Sequence, residues 1–121
     1  MGKLTVEDIL SSVDVQEEIV EVPQWTKKGK PGTVTIRPFT KEAQQRLRKE
    51  CMSDGEIDTE RFEMAIFIEG VVDPKFTSEQ TEDLKKKSAA AIDLILKRIV
   101  KASGFTEEEA KKAGAFFRDG T

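Results

Sequence analysis

The stretch EVPQWTKKGKPGTVTIRPFT, residues 21–40, decides how the fold begins. Two runs rich in β-branched residues flank a segment of lysine, glycine and proline, and segments of that composition form turns. We therefore predict a β-hairpin over residues 19–39, with a loop over residues 26–32. Pro23 cannot donate a hydrogen bond to a sheet, so either the first strand lies at an edge or Pro23 lies at the end of the strand.

The chain after Thr40 has a helical pattern. Thr40 is a suitable N-cap, Thr77 and Gln80 have the spacing of a capping box, and Gly104 lies where a helix-ending glycine is expected. A lone hairpin is marginally stable in water, so it must pack on helices or pair its edges. The predicted fold class is α+β, mainly α: an N-terminal β-hairpin followed by a bundle of four to five helices. The predicted helices cover about 41–52, 58–72, 78–87, 89–103 and 107–118.

Residues 1–18 contain only a weak amphipathic pattern, carried by Leu4, Ile9 and Leu10. The segment is too short for a stable isolated helix. We predict a flexible N-terminal arm, which either docks on a neighbouring subunit or is a disordered terminus. The rest of the chain, 19–121, is expected to form a single domain.

The composition excludes several classes of function. The 23 acidic and 20 basic residues are interspersed, so no clustered basic face for nucleic acid is expected. No apolar run is long enough to span a membrane, and no signal peptide is recognised at the start. The single Cys51 cannot form an intrachain disulfide, which fits a reducing compartment such as the cytosol.

Catalytic motifs are also missing from the sequence. There is no histidine, which removes the commonest general base and the commonest zinc ligand. No phosphate-binding glycine loop and no metal-binding spacing is found. We therefore expect a binding protein without enzymatic activity, cofactor or metal. Trp25, the only tryptophan, either anchors an interface or covers the hairpin against the helices.

An ordered set of residues at both ends of the chain resembles one known family. The pattern begins V-x-V-P-x-W and V-x-I-R-x-F-T, and continues with V-D-P-x-F-T, a long apolar helix and a glycine. With this set, the chain resembles the XkdN-like tail assembly chaperones of tailed phages and prophages of Gram-positive bacteria, over about residues 4–110. The matching residues are Val20, Val22, Pro23, Trp25, Val34, Ile36, Arg37, Phe39, Thr40, Val72, Asp73, Pro74, Phe76, Thr77, Leu84, Lys87 and Gly104.

The resemblance implies a chaperone that binds and solubilises the tape-measure protein and helps to recruit tail-tube subunits during tail morphogenesis. The major tail-tube protein would be contacted through a frameshifted longer form. The resemblance also implies a homo-oligomer that works in the host cell cytoplasm and is absent from the mature virion. Neither nucleic acid nor membrane is an expected partner.

Two contact surfaces are expected on this basis. A hairpin with free edges suits self-assembly by strand addition, and we assign Ile19, Val22, Trp25, Val34 and Ile36 to that interface. Apolar side chains of the helices, Phe62, Phe116 and Phe117, are expected to contact the tape-measure protein. One alternative is another virion morphogenesis protein, a head–tail connector or tail-completion protein. The other is a small regulatory or DNA-binding protein that uses the helix KEAQQRLRKE, whose four basic residues are offset in part by its own two acids.

Overall fold

The computed structural model describes residues 2–105 of the chain. The helices, in chain order, are α1 (Val6–Leu10), α2 (Lys41–Glu50), α3 (Thr59–Gly70), α4 (Thr81–Leu84) and α5 (Ala89–Ser103), and a 3-10 turn covers Ser78–Gln80. The strands are β1 (Glu18–Lys27), β2 (Lys30–Ile36), β3 (Met52–Ser53), β4 (Glu56–Ile57) and β5 (Val71–Asp73).

The predicted fold class is wrong. The hairpin is not the first element of the chain, and the fold contains strands besides those of the hairpin. Helix α1 precedes the strands, inside the segment predicted to be a flexible arm. Strand β5 adds to the hairpin and makes an antiparallel three-stranded sheet with the order β1-β2-β5. The backbone turns from helix to strand at Val71, which is already extended. Because Val71 and Val72 lie four residues after Phe67 and Ile68, the sequence pattern alone predicts them as two more helical residues.

The hairpin turn is tighter than the loop predicted over residues 26–32. Lys28 and Gly29 both have positive φ, 54° and 78°, which is the backbone of a two-residue type I′ turn. The strands therefore extend to Lys27 on one side and start again at Lys30 on the other. Asp54 and Gly55 form a second turn with positive φ, and it closes the small β3–β4 hairpin that the sequence analysis missed.

A bulge in β1 accommodates Pro23. Val22 pairs with Gly32 and Thr26 with Pro31, so Pro23, Gln24 and Trp25 have no partners in the β1–β2 register. Gly32 is required here, since a Cβ atom on it would lie 2.7 Å from the backbone carbonyl oxygen of Trp25. The missing N–H of Pro23 thus falls where no ladder bond is made.

The core lies between one face of the sheet and the helices α3 and α5. Helix α5 packs against both β1 and α3. The closest approach is at Gly70, where a Cβ atom would lie 2.6 Å from Cδ1 of Ile99. The largest fully buried side chains are Phe62, Phe67, Ile36, Ile66, Ile95, Leu96, Ile99, Val20, Val22, Val71, Val100 and Cys51.

The helix ends follow their capping residues. Thr40, Asp58 and Ser88 accept hydrogen bonds from backbone N–H groups at the starts of α2, α3 and α5, and Gly104 ends α5 with φ of 70°. Helix α5 covers the range where the sequence places a helix, 89–103. The other predicted helices end early or are shortened: α2 stops at Glu50, α3 at Gly70, and the range 78–87 becomes a 3-10 turn and a four-residue helix. The predicted helix 107–118 lies outside the described residues.

Candidate interaction surfaces

The residues assigned to a hairpin interface divide between the two faces of the sheet. Because successive side chains of a strand point to opposite faces, Val22, Val34 and Ile36 all point into the core and are buried. Ile19 points outward and is 70% exposed. Trp25 is half-buried and packs against the core. Only Ile19 and part of Trp25 therefore offer side-chain surface to a partner in this conformation.

The outer face of the sheet is mostly polar. Ile19 lies opposite Thr35, and Glu21 lies opposite Thr33. Within residues 2–105, strand β1 pairs with β2 on one side and with no strand on the other, so its backbone forms a free sheet edge. The bulge after Val22 limits the regular part of this edge to Glu18–Val22.

Ion pairs hold the start of β1 against the body. The carboxylate of Glu17 accepts a hydrogen bond from the guanidinium of Arg37 at 2.7 Å, and Glu18 pairs with Arg98 on α5. At the same end of the hairpin, just after β2, the backbone N–H of Phe39 donates to Oγ of Ser103 at 2.9 Å. Each pair is partly exposed, so it orients the hairpin more than it stabilises the fold.

The phenylalanines assigned to the tape-measure contact are not on a described surface. Phe62 is fully buried, with 0% exposure. Its ring makes an edge-to-face contact with Phe105 at 5.8 Å between centroids, and Phe105 contacts Phe39 in the same way at 5.5 Å. The side chain of Phe62 therefore belongs to the packing of α3 against the end of α5. Phe116 and Phe117 lie outside the described residues.

The N-terminal arm, residues 2–17, carries most of the exposed apolar surface. Five of the seven large apolar side chains that are exposed in residues 2–105 belong to it, with exposures between 54% and 80%. The remaining two, Ile19 and Met52, are isolated on the body. Monomeric proteins seldom expose contiguous apolar side chains without an interaction that uses them. The five are Leu4, Val6, Ile9, Leu10 and Val13.

Helix α1 of the arm is capped at its start by a reciprocal pair of hydrogen bonds. The backbone N–H of Asp8 donates to Oγ1 of Thr5 at 3.1 Å, and the N–H of Thr5 donates to the carboxylate of Asp8 at 2.9 Å. Two hydrogen bonds with Thr5 lower the pKa of Asp8; the bond to the backbone of Thr5 has the larger effect and the bond to its side chain the smaller one. The arm is thus prepared to start a helix at Val6, although α1 buries none of its side chains.

A groove runs beside α3, on the side covered by the 3-10 turn and α4. Its volume is about 360 Å³. The floor is apolar and is formed by Met64, Ala65 and Ile68, while Arg61 and Lys85 stand on its rim. We call this the α3–α4 groove; its other lining residues are Asp58, Glu60, Ser78 and Thr81.

The described part of the chain contains no arrangement for metal chemistry. In residues 2–105 no group of three histidine, cysteine, aspartate or glutamate side chains is placed to hold a metal ion. No helix of that part is long and apolar enough to cross a membrane. Cys51 is buried, and burial raises the pKa of its thiol, which opposes formation of the reactive thiolate.

Comparison with known proteins identifies a class of assembly factor. The family model of the phage XkdN-like tail assembly chaperone protein matches residues 6–113. The match covers most of the chain, so the chain belongs to this family of phage tail assembly chaperones, and the resemblance noted from the sequence is confirmed. A chaperone family suggests a role without catalysis.

Two further comparisons concern curated protein sequences and solved structures. No curated protein sequence matches the chain significantly. The chain is similar to a solved crystal structure of a protein named YqbN, with 22% sequence identity and a TM-score of 0.48. That alignment covers 94% of this chain and 98% of the other.

Sequence reasoning missed two features of these surfaces. Val6 and Val13 complete the apolar stripe of the arm, and a Thr-x-x-Asp capping box directly precedes that stripe. Both signals are present in the sequence, but the shortness of the segment led to the prediction of a flexible arm. The α3–α4 groove could not be predicted from the sequence, because it depends on where the turn after β5 places α4.

Proposed function

We propose that this protein is a holding chaperone for the tape-measure protein of a phage tail. In this role it binds the tape-measure protein, keeps it soluble in the host cytoplasm and helps to bring tail-tube subunits to it. A longer, frameshifted form contacts the major tail-tube protein, and the chaperone leaves before the virion is complete. The observation that supports this most is the family match over residues 6–113.

The geometry of the described residues fits a binding role. Their cavities are open clefts on the surface, and the apolar surface is carried by an arm outside the packed core. A holding chaperone needs apolar contact surface that is available while its own core stays closed. No nucleic acid, membrane or cofactor has a part in this proposal.

Self-association is part of the proposed function. The regular edge of β1 can add a strand from a second copy, with Ile19 and Trp25 as the side chains that contact it. Val22, Val34 and Ile36 support this edge from the core side. Phe116 and Phe117 are proposed as contacts for the tape-measure protein, which is an apolar helical client.

The direct test is co-expression with the tape-measure protein of the same genome, followed by measurement of soluble tape-measure protein and of co-purification. We expect the tape-measure protein to become soluble and to elute with this chain. The Phe116→Ser/Phe117→Ser variant should lose this effect, while the control Phe116→Leu/Phe117→Leu, which keeps apolar side chains, should retain most of it.

A persistent pellet of tape-measure protein beside soluble wild-type chain would contradict the proposal. Detection of the chain by mass spectrometry in purified virions would instead support a connector or tail-completion protein, because those proteins remain in the particle.

A further inference from the structure

The apolar residues of the N-terminal arm have the spacing of a helix that docks in a groove. Val6, Ile9, Leu10 and Val13 lie at positions i, i+3, i+4 and i+7, which places them along one face of a helix. Thr5 and Asp8 cap the start of that helix. A helix of this length is not stable alone in water, so a capped helix with a complete apolar stripe requires a surface to cover it.

The α3–α4 groove matches this stripe in length and in polarity. Helix α3 lines the groove from Arg61 to Ile68, seven residues or about 10 Å along the helix axis, and the apolar floor occupies the part from Met64 to Ile68. Val6 and Val13 are also seven residues apart and span the same length once the arm is helical. The floor would cover an apolar stripe of one helix width.

The arm is acidic, whereas the groove carries two acidic and two basic side chains at different places along its length. The arm carries four carboxylates and one lysine, so it holds a net charge of −3, whereas residues 18–105 are close to neutral. Arg61 and Lys85 stand on the groove rim, and Nζ of Lys75 donates to the carbonyl oxygen of Ile68 at 3.0 Å, at the far end of the floor.

The acidic end of the groove sets a direction for the arm. Asp58 and Glu60 lie at the start of α3, at the end of the groove opposite Lys75. Lys3 precedes the apolar stripe and Asp14 follows it. An arm that runs parallel to α3 places Lys3 near Asp58 and Glu60, and Asp14 near Lys75; the opposite direction places like charges together.

The arm does not occupy this groove within its own chain, since the side chains of Leu4, Val6, Ile9, Leu10 and Val13 are each at least 54% exposed. Once the arm is helical through Val13, the three residues 14–16 connect it to the ion-paired Glu17. Three extended residues span about 10 Å, which places the helix beside the start of β1 and within reach of a molecule in direct contact there.

We propose that residues 4–13 of one copy dock as a helix, parallel to α3, in the α3–α4 groove of a second copy. The inference rests on the self-association in the proposed function and gives it a second contact. The contact is heterologous, because arm and groove are different surfaces, and repeated contacts of this kind build rows or rings of subunits.

The test uses the full chain alone and measures mass against concentration by sedimentation. The Ile9→Ser/Leu10→Ser variant removes two anchors of the arm, and Ser11→Ala, at the residue that follows α1 and outside the apolar stripe, is its matched control. The Ala65→Asp variant fills the groove floor with a carboxylate. Lys85→Glu, an exposed change on the rim, serves the same purpose if Ala65→Asp does not fold.

We expect self-association to weaken by about 30-fold or more in the Ile9→Ser/Leu10→Ser variant, through loss of two buried apolar side chains, and to be unchanged in Ser11→Ala. The groove variant should weaken to a similar extent. A mixture of the arm variant with the groove variant should form a heterodimer, since one intact groove and one intact arm remain. Thermal unfolding should confirm that each variant is folded.

Three results would overturn this inference: a monomeric wild-type chain at all concentrations, an arm variant that associates like the wild type, or a mixture that stays monomeric. The last two would leave the proposed function intact, with self-association assigned to the β1 edge if Ile19→Asp abolishes it. An arm variant that associates normally but no longer solubilises the tape-measure protein would assign the arm to the client instead of to a second copy.

Discussion

Two parts of the molecule use apolar side chains for opposite purposes. Val20 and Val22 on β1 are 1% exposed and pack against the helices, whereas Val6 and Val13 in the N-terminal arm are 74% and 77% exposed. The difference lies in what surrounds them. In β1 a partner strand and α5 complete the burial, while the arm is connected to the body only through its last residues. Apolar side chains in the body therefore stabilise the fold, and those in the arm are available for contacts between molecules.

The strongest test of this division is truncation of a core residue beside truncation of an arm residue. Phe62→Ala should lower the free energy of unfolding by about 3–5 kcal/mol, because a fully buried ring is replaced by a cavity. Leu10→Ala should change it by no more than about 0.5 kcal/mol, because that side chain is 80% exposed. Urea unfolding of dilute protein measures both. A large loss for Leu10→Ala under dilute conditions would show that the arm packs on its own body.

A second test concerns the closest contact within the core. In Gly70→Ala, the added methyl group meets the side chain of Ile99, and we expect a loss of about 1–3 kcal/mol in the free energy of unfolding. This clash must exceed the gain of about 1 kcal/mol that alanine brings to a helix. The double variant Gly70→Ala/Ile99→Ala should be less destabilised than the sum of the two single changes. A single Gly70→Ala variant that is more stable than the wild type would contradict the close packing of α3 on α5.

The same contrast explains which parts of the fold could be predicted from the sequence. Helix α5 was readable because a continuous apolar stripe lies between the cap at Ser88 and Gly104. Strand β5 was not, because Val71 and Val72 lie four residues after Phe67 and Ile68 and so continue the helical spacing across Glu69 and Gly70. The turn at Lys28–Gly29 was obscured by further turn-forming residues, Pro31 and Gly32, which belong to β2 opposite the bulge in β1.

The candidate surfaces were harder to predict than the fold. Both faces of β1 contain apolar residues, so the sequence pattern alone does not show which face the helices cover. Only the structure shows that Val22 points inward and Ile19 outward. Phe62 was assigned to a contact surface as an apolar helix residue, and its complete burial, with Phe105 against its ring, places it in the core instead. Family membership, in contrast, could be recognised from an ordered set of residues without knowing any contact.

A third prediction uses pH to report on the closed core. Burial raises the pKa of the Cys51 thiol in the folded state, so the stability that depends on the protonated thiol is complete below the ordinary pKa of about 9. It is lost as the pH rises through the raised pKa, because the unfolded chain then gives up its proton more readily than the folded one. Between pH 8 and pH 10 the wild type should therefore lose more stability than Cys51→Ala does. Equal losses of stability would mean that burial in the core does not raise the pKa of the Cys51 thiol.

The smallest expected effect is in the arm, and it concerns local helix content instead of global stability. The hydrogen bonds from Thr5 lower the pKa of Asp8, so the capping box is complete above the ordinary pKa of 3.8 and is lost as the pH falls through the lowered value. In the Asp8→Asn variant, the amide replaces the carboxylate that accepts from the N–H of Thr5. We expect reduced helical chemical shifts for residues 6–10 at neutral pH, with no change in the unfolding midpoint of the body.

The Asp14→Asn variant, which lies outside the capping box, is the control for loss of one negative charge. It should leave the helical shifts of residues 6–10 unchanged. If both variants reduce these shifts equally, net charge and not the capping box controls the helix. If Asp8→Asn lowers the unfolding midpoint of the body as well, arm and body are coupled within one molecule, and the division between a closed core and an available arm does not hold.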